Sequence, residues 1–157
     1  SMMVFHVGRI ASKRLVSPSV TVLDLHVPSL DFFLPGQWVD FVSQEKTGWV
    51  GGFSLVSSPS DLPTVTLAVK ASSKAPAQWV TLESKVGDAV EIQVGGNCVL
   101  EKDFEKSAVF CGAGIGISPL LSMYRQHVRE RGLEGKGASF LYIAANEDEL
   151  VFVKKLI

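Results

Sequence analysis

Gly112, Gly114 and Gly116 stand between an apolar run, Ser107 to Cys111, and the pair Ser118-Pro119. This is the stretch best suited by residue type and spacing to hold a phosphate. Glycine lets a backbone turn sharply and lets a ligand approach where a Cβ would intrude. Ser118 is by type a helix N-cap and Pro119 suits the first helical position, so the free N–H groups and positive dipole end of the next helix should face the loop. An anion is the natural occupant. The spacing departs from the dinucleotide fingerprint G-x-G-x-x-G, which needs glycine where Ile117 stands.

The other chemistry-bearing residues are scattered. Cys98 and Cys111 lack the number and spacing for a zinc site or an iron-sulfur cluster, and Cys111 is expected to pack as a small apolar residue at the end of its strand. His6, His26 and His127 fall into no metal or catalytic spacing, and structural roles are expected for all three. No metal site is expected. A formal net charge of −1, with signs interspersed, gives no basic face for nucleic acid or an anionic membrane. Lys154-Lys155 reads as a solvated helix face. The longest apolar runs fall short of a membrane span.

The glycine loop needs a strand before it and a helix after it, and the second part of the 157-residue chain supplies both. Ser107 to Cys111 reads as a parallel strand buried on both faces. The helix opened by Ser118 carries Leu120, Leu121, Tyr124 and Val128 as one stripe that should pack on a sheet, and Gly132 marks its stop. Phe140 to Ala145 is a second apolar run, so strand, helix and strand predict a right-handed parallel βαβ unit. Glu147 to Ile157 is expected to form another helix, with acids in its first turn and lysines in its last.

The first part reads differently. Leu23, Leu25 and Val27 alternate with Asp24 and His26; Val65, Leu67 and Val69 do the same, as do Val90, Ile92 and Val94. Such short strands, punctuated at Pro28, Pro35-Gly36, Gly51-Gly52, Pro59, Gly87-Asp88 and Gly95-Gly96, favour an antiparallel barrel interrupted by one short helix near Ala77 to Glu83. The predicted division is residues 1–103 for the barrel and 104–157 for an α/β part, joined by the charged link Glu101 to Lys106. Two parallel strands with two helices make a poor independent domain. The chain is therefore expected to be a truncated product or a natural short form, or to have an oligomer partner that covers the sheet. Ser1-Met2 reads as a cloning scar, with any targeting segment lying outside this chain.

Gly112-Ala113-Gly114-Ile115-Gly116-Ile117-Ser118-Pro119 resembles the G-G-x-G-[IV]-[ST]-P signature of the ferredoxin-NADP reductase family, flavoenzymes with a flavin-binding barrel followed by a nicotinamide-binding α/β domain. The resemblance runs through nearly the whole chain from Val7. Pro35-Gly36-Gln37-Trp38-Val39 is similar to the family's P-G-Q-x-[VL] turn, a marker of the fold. Gly51-Gly52-Phe53-Ser54 occupies the place of its R-x-Y-S motif, with Phe53 for the aromatic, Ser54 for the hydroxyl and Gly51 where the arginine would stand. Leu67-Ala68-Val69-Lys70 is similar to the strand beside the ribityl chain and pyrophosphate. Pro76-Ala77-Gln78-Trp79-Val80 is similar to the helix start that follows, with Ala77 in place of the phosphate-binding serine.

The resemblance implies a Greek-key flavin-binding β-barrel followed by a partial α/β nucleotide-binding domain with parallel strands. It also implies transfer of a hydride from NAD(P)H to flavin and of electrons onward to an unidentified acceptor. Ser54 and Ser118 are then the catalytic candidates. The flavin, FAD or FMN, would be met by Phe53, Ser54, Leu55, Val69, Lys70, Ala77 and Gln78. The dinucleotide would be met by Gly112, Ala113, Gly114, Ile115, Gly116, Ile117, Ser118 and Pro119. Lys70 would supply charge that Gly51 cannot, and backbone N–H groups near Ala77 would help. NADH is expected over NADPH, because Ala145-Asn146-Glu147-Asp148 brings carboxylates and no arginine to a strand end, where they repel a 2′-phosphate. A mitochondrial location is implied, with a cytoplasmic one otherwise. A second reading, favoured by Gly51 and Ala77, is a binding or regulatory module that kept the fold without turnover.

Overall fold

The computed structural model describes residues 4–45, 50–100, 107–131 and 138–153 of the chain. Six strands form a nearly closed antiparallel barrel: β1 (His6–Leu15), β2 (Val20–His26), β3 (Trp38–Ser43), β4 (Gly51–Ser54), β5 (Thr64–Lys70) and β6 (Ala89–Gly95). Their spatial order is β4-β3-β6-β1-β2-β5. The two end strands meet where Leu55 bridges Leu67 and the Val56 N–H donates to the Thr66 carbonyl at 2.9 Å.

Alternation fills the barrel as the sequence predicts. Leu23 and Leu25 of β2, Val39 and Phe41 of β3, Leu67 and Val69 of β5, and Val90 and Ile92 of β6 all point into one core. The connection from β5 to β6 passes two intervening strands and carries a short helix, α1 (Ala75–Gln78), which widens into a π turn over Trp79–Glu83. Trp79, 2% exposed, drives into the barrel core against Phe41, with ring centroids 5.9 Å apart. Burying so large a ring contributes several kcal/mol of apolar transfer, on the order of 25 cal/mol per Å².

The second part holds β7 (Ala108–Ala113), α2 (Ile117–Arg131) and β8 (Ala138–Ile143), with β7 and β8 paired in parallel and Phe110 opposite Phe140. Of the predicted stripe, Tyr124 and Leu120 of α2 pack on Phe110 and Phe140, while Leu121 joins the cluster against the barrel. The same helix is also buried on its other side. Ile117 and Leu121 meet Val20, Val22, Val56 and Ala68 on the outside of the barrel, joined by Phe152. This explains the run Val20-Thr21-Val22-Leu23, which is buried on both faces.

Polar ties reinforce that seam. The Ser122 hydroxyl donates to the Ser57 carbonyl at 2.6 Å and Arg125 donates to the Val56 carbonyl at 3.0 Å. Arg129 pairs with Asp61 at 2.7 Å.

Four expectations are corrected. The parallel strands are covered on one face only among the described residues, since Val109, Leu141 and Ile143 are more than half exposed; α2 packs on one side and no second layer lies on the other. Cys111 alternates onto that open face and is exposed rather than packed. Ser118 does not cap α2, because a 3-10 turn at Gly114–Gly116 opens the helix a residue earlier and the Ser118 hydroxyl donates back to the Ile115 carbonyl. Over the described part of the helix expected from Glu147 to Ile157, a 3-10 turn, Glu147–Glu149, is followed by turns up to Val153. Asn146 caps that turn, Glu149 is drawn away to the barrel, and Phe152 is buried against it, so Glu147 to Val153 does not form a solvated helix. Glu101 to Lys106, Gly132 and Lys154-Lys155 lie outside the described residues.

Candidate functional site

The sharp turn after β7 and the β4 strand face each other across one cleft of about 660 Å³. One wall is Gly51, Gly52, Phe53 and Ser54; the opposite wall is Ile115, Gly116 and Ser118. Ala68 and Lys70 of β5 also line it, with Ser72, Lys74, Ala75, Pro76 and Ala77 of the segment that follows. The volume lies within the range of about 300–1,000 Å³ usual for small-molecule and cofactor sites.

Each wall is positioned by packing behind it. Phe53 is half-buried and meets Phe41 edge-on at 5.6 Å, and Phe41 in turn leans on Trp79, so the barrel core fixes the aromatic wall. Ser54, opposite Trp38 in the β3–β4 pair, has a hydroxyl with no hydrogen-bond partner among the described residues. On the other wall, Gly112 is glycine because α2 crosses it: a Cβ there would stand 2.8 Å from Leu120 Cδ1. Gly114 turns with φ +52, and a Cβ on Gly116 would meet nothing within 4 Å.

The residues present suit a planar ring that carries a phosphate. Phe53 offers an apolar face, Ser54 an uncommitted hydroxyl, and Gly52 and Gly116 leave open space on both walls. The charged side chains lining the cleft, among the described residues, are Lys70 and Lys74, and no carboxylate lines it.

Several of the residues singled out in the sequence stand back from the cleft. Leu55 and Val69 belong to the barrel core, and the Leu55 N–H is bonded to the Gln37 carbonyl. Ile117 packs between α2 and the barrel. Gln78 and Ala113 are exposed, and neither they nor Gly112, Gly114 and Pro119 line the cleft. Ser118 does line it, but its hydroxyl is 1% exposed as a residue and already engaged with Ile115. Sequence reasoning overlooked Ser72 and Lys74. Their position, between the end of β5 and Pro76, could have flagged them as neighbours of Lys70.

A second, polar cleft of about 610 Å³ is lined by Asp24, Asp61, Thr64, Thr66, Arg125 and Arg129. Its charges largely satisfy one another: Asp24 accepts from Ser12, Arg14 and Thr66, and Arg129 pairs with Asp61. Burial pushes the Arg125 pKa down while Asp61 raises it. Such a site is a joint between α2 and the barrel rather than an anion trap.

No family model matches the chain. Over 156 residues it is 37% identical to oxidoreductase NAD-binding domain-containing protein 1 of Bos taurus, a match covering 90% of this chain and 50% of that protein. The structure resembles phthalate dioxygenase reductase, described as a modular structure for electron transfer from pyridine nucleotides to a 2Fe-2S centre, with a TM-score of 0.83 and 25% identity over 97% of this chain and 47% of that one. Ferredoxin-NADP+ reductase from Plasmodium falciparum shares the fold with a TM-score of 0.81 and 20% identity, covering 97% of this chain and 63% of that one. The chain spans about half the length of the curated relatives it matches.

Proposed function

We propose that this chain, similar in sequence to oxidoreductase NAD-binding domain-containing protein 1 and in fold to phthalate dioxygenase reductase and ferredoxin-NADP+ reductase, serves an oxidoreductase that takes a hydride from NAD(P)H onto flavin and passes electrons to an acceptor. The observation that carries this reading is the single cleft shared by Phe53-Ser54 and the Ile115–Ser118 turn. Bound flavin supplies the electron chemistry; the protein supplies position. Phe53 would pack the ring, the Ser54 hydroxyl, without a hydrogen-bond partner among the described residues, would donate to its edge, and the glycine-lined wall would leave room for a second ring. No side chain in the cleft needs to act as a general base.

We assign FAD or FMN as the flavin and prefer NADH to NADPH. Glu147 and Asp148 are exposed just beyond β8, where their charge opposes a 2′-phosphate. A mitochondrial location and an electron-carrying protein as acceptor belong to the same proposal. The alternative of a binding module without turnover draws on Gly51 and Ala77, which lack the phosphate-binding side chains of the resembling family.

Incubation with FAD or FMN followed by removal of free flavin should leave a visible flavin spectrum on the protein, and anaerobic NADH should bleach it. Uptake without bleaching would favour the module without turnover. No uptake of either flavin would remove the redox reading.

A further inference from the structure

A further recess, on the outer wall of β1, shares no lining residue with the cleft between Phe53 and Gly116. Side chains alternate along the start of this strand, so Phe5, Val7 and Arg9 form one exposed stripe while Gly8 and Ile10 are buried. Across from the stripe stand His26, in register with Arg9, and the turn at Pro28 and Ser29. Together these residues line an open groove of about 570 Å³. Its shape is fixed by packing. Gly8 lies so close to the end of β2 that a Cβ there would stand 2.8 Å from Val27 Cγ2, and His6 Nδ1 is hydrogen-bonded to Ser29 Oγ at 3.1 Å. The Val27 N–H donates to the Pro63 carbonyl at 2.9 Å and the Leu30 N–H to the Val27 carbonyl at 3.1 Å, which hold the turn in place.

The stripe is apolar at one end and cationic at the other, over about 13 Å of strand from Phe5 to Arg9. Phe5 is 44% exposed and Val7 52%, with Pro28 exposed across the groove. Contiguous apolar surface of this kind marks a binding surface, where a lone exposed residue would not. Arg9 spends one N–H on the Gly87 carbonyl at 3.1 Å and has no carboxylate partner among the described residues. His26, beside it, has no hydrogen-bond partner among the described residues. No acidic side chain among the described residues lines the groove. Glu91, opposite Val7 on β6, stands outside the lining and accepts from Gln44 at 3.1 Å.

We propose that this groove binds an amphipathic carboxylate: a medium-length acyl chain lies on Phe5, Val7 and Pro28, and its carboxylate is held by Arg9 and His26. The head is a carboxylate because the planar guanidinium presents parallel N–H donors that match two oxygens, and nothing acidic opposes it. The tail is apolar because it covers surface that the barrel leaves in water. The site is separate from the redox reading and stands or falls without it. It gives the barrel a second ligand on a wall that the flavin does not use.

The test is calorimetric titration of the whole chain with decanoate below its micelle concentration, beside acetate and decyltrimethylammonium. Decanoate should occupy a single site. Acetate, a head without a tail, and decyltrimethylammonium, the same tail with the opposite charge, should each bind at least about tenfold more weakly. Arg9→Gln should weaken decanoate about tenfold, the size of one charged hydrogen bond, and Arg9→Lys should recover only part of that loss, since an ammonium lacks the fork. Phe5→Ser with Val7→Ser should also weaken it about tenfold, as leaving roughly two methylenes without apolar cover would. All these positions are exposed, so thermal melting of the variants should match that of the unaltered chain. In amide NMR spectra decanoate should shift Gly8 and His26 and leave Gly52 and Gly116 unmoved. Equal binding of decanoate and decyltrimethylammonium would overturn the site, as would undiminished decanoate binding in both Arg9→Gln and the double serine variant, or shifts at Gly52 and Gly116 instead. Binding to phosphatidylglycerol vesicles without binding of monomeric decanoate would overturn it in favour of a membrane-docking patch.

Discussion

A methyl group on Gly51 would stand 2.6 Å from Pro76 Cβ and 3.0 Å from the Phe53 ring. The strand carrying the aromatic wall and the segment leading into α1 are thus in backbone-close contact, and the position cannot carry a side chain without moving one of them. Gly51→Ala should cost about 1–3 kcal/mol in urea unfolding, the usual penalty of overpacking. The neighbouring Gly52→Ala, where nothing lies within 4 Å, should stay within about 0.5 kcal/mol.

Ser54 and Ser118 face the same cleft with opposite commitments. The Ser54 hydroxyl is free among the described residues, and that of Ser118 is bonded to Ile115. In anaerobic stopped-flow, Ser54→Ala should slow NADH bleaching of bound flavin by roughly tenfold or more, as loss of about 1.4 kcal/mol of transition-state stabilisation would. Ser118→Ala should instead lower stability by about 1 kcal/mol with a smaller kinetic effect.

Glu149 titrates below the ordinary glutamate range, chiefly because the Ser19 hydroxyl donates to its charged form, with Ser17 and Lys70 adding to the effect. A depressed folded value means that stability from this group is fully present above the unfolded pKa and is lost as the pH falls through the folded one. Glu149→Gln should therefore lower melting most at neutral pH, leave it little changed below the folded pKa, and so flatten the acid limb of a thermal-melt series.

Glu147 and Asp148 are exposed at the end of β8. If they oppose a 2′-phosphate, Glu147→Gln with Asp148→Asn should raise kcat/KM for NADPH relative to NADH by about tenfold, an electrostatic change of roughly 1.4 kcal/mol. An unchanged ratio would mean that the discrimination is made elsewhere.

The Ser122 hydroxyl donates to the Ser57 carbonyl in a fully buried setting. Ser122→Ala leaves that carbonyl unpaired and should cost about 1–3 kcal/mol by chemical denaturation. Gln126→Ala, whose side chain meets only exposed Ser60 and Glu130 among the described residues, should be close to neutral.

Much of this was legible in the chain. Leu67 and Ile92 alternate with outward-facing neighbours because the barrel has an inside and an outside, and Gly112 lies where a Cβ would crowd Leu120 and Ile117 at the start of α2. What periodicity could not convey was the second face of α2. Ser122 and Arg125 look like ordinary polar helix residues, yet both bond to carbonyls of the barrel. The end of β8 misled for a related reason: Glu147 to Ile157 has helical charge order, but Phe152 gains more by burial against Val20 and Leu121 than the segment would by continuing as a helix. Lys74 was overlooked because a lysine in a short loop carries no pattern of its own.

Since α2 starts at the glycine turn and is anchored along its length to the segment that follows Phe53-Ser54, it works as a splint across the joint. The sheet of β7 and β8 should not melt ahead of the barrel. Loosening either one removes the apolar surface that the other needs, so heat or denaturant should take the molecule apart in one concerted transition, followed equally by Trp79 fluorescence and by helical circular dichroism.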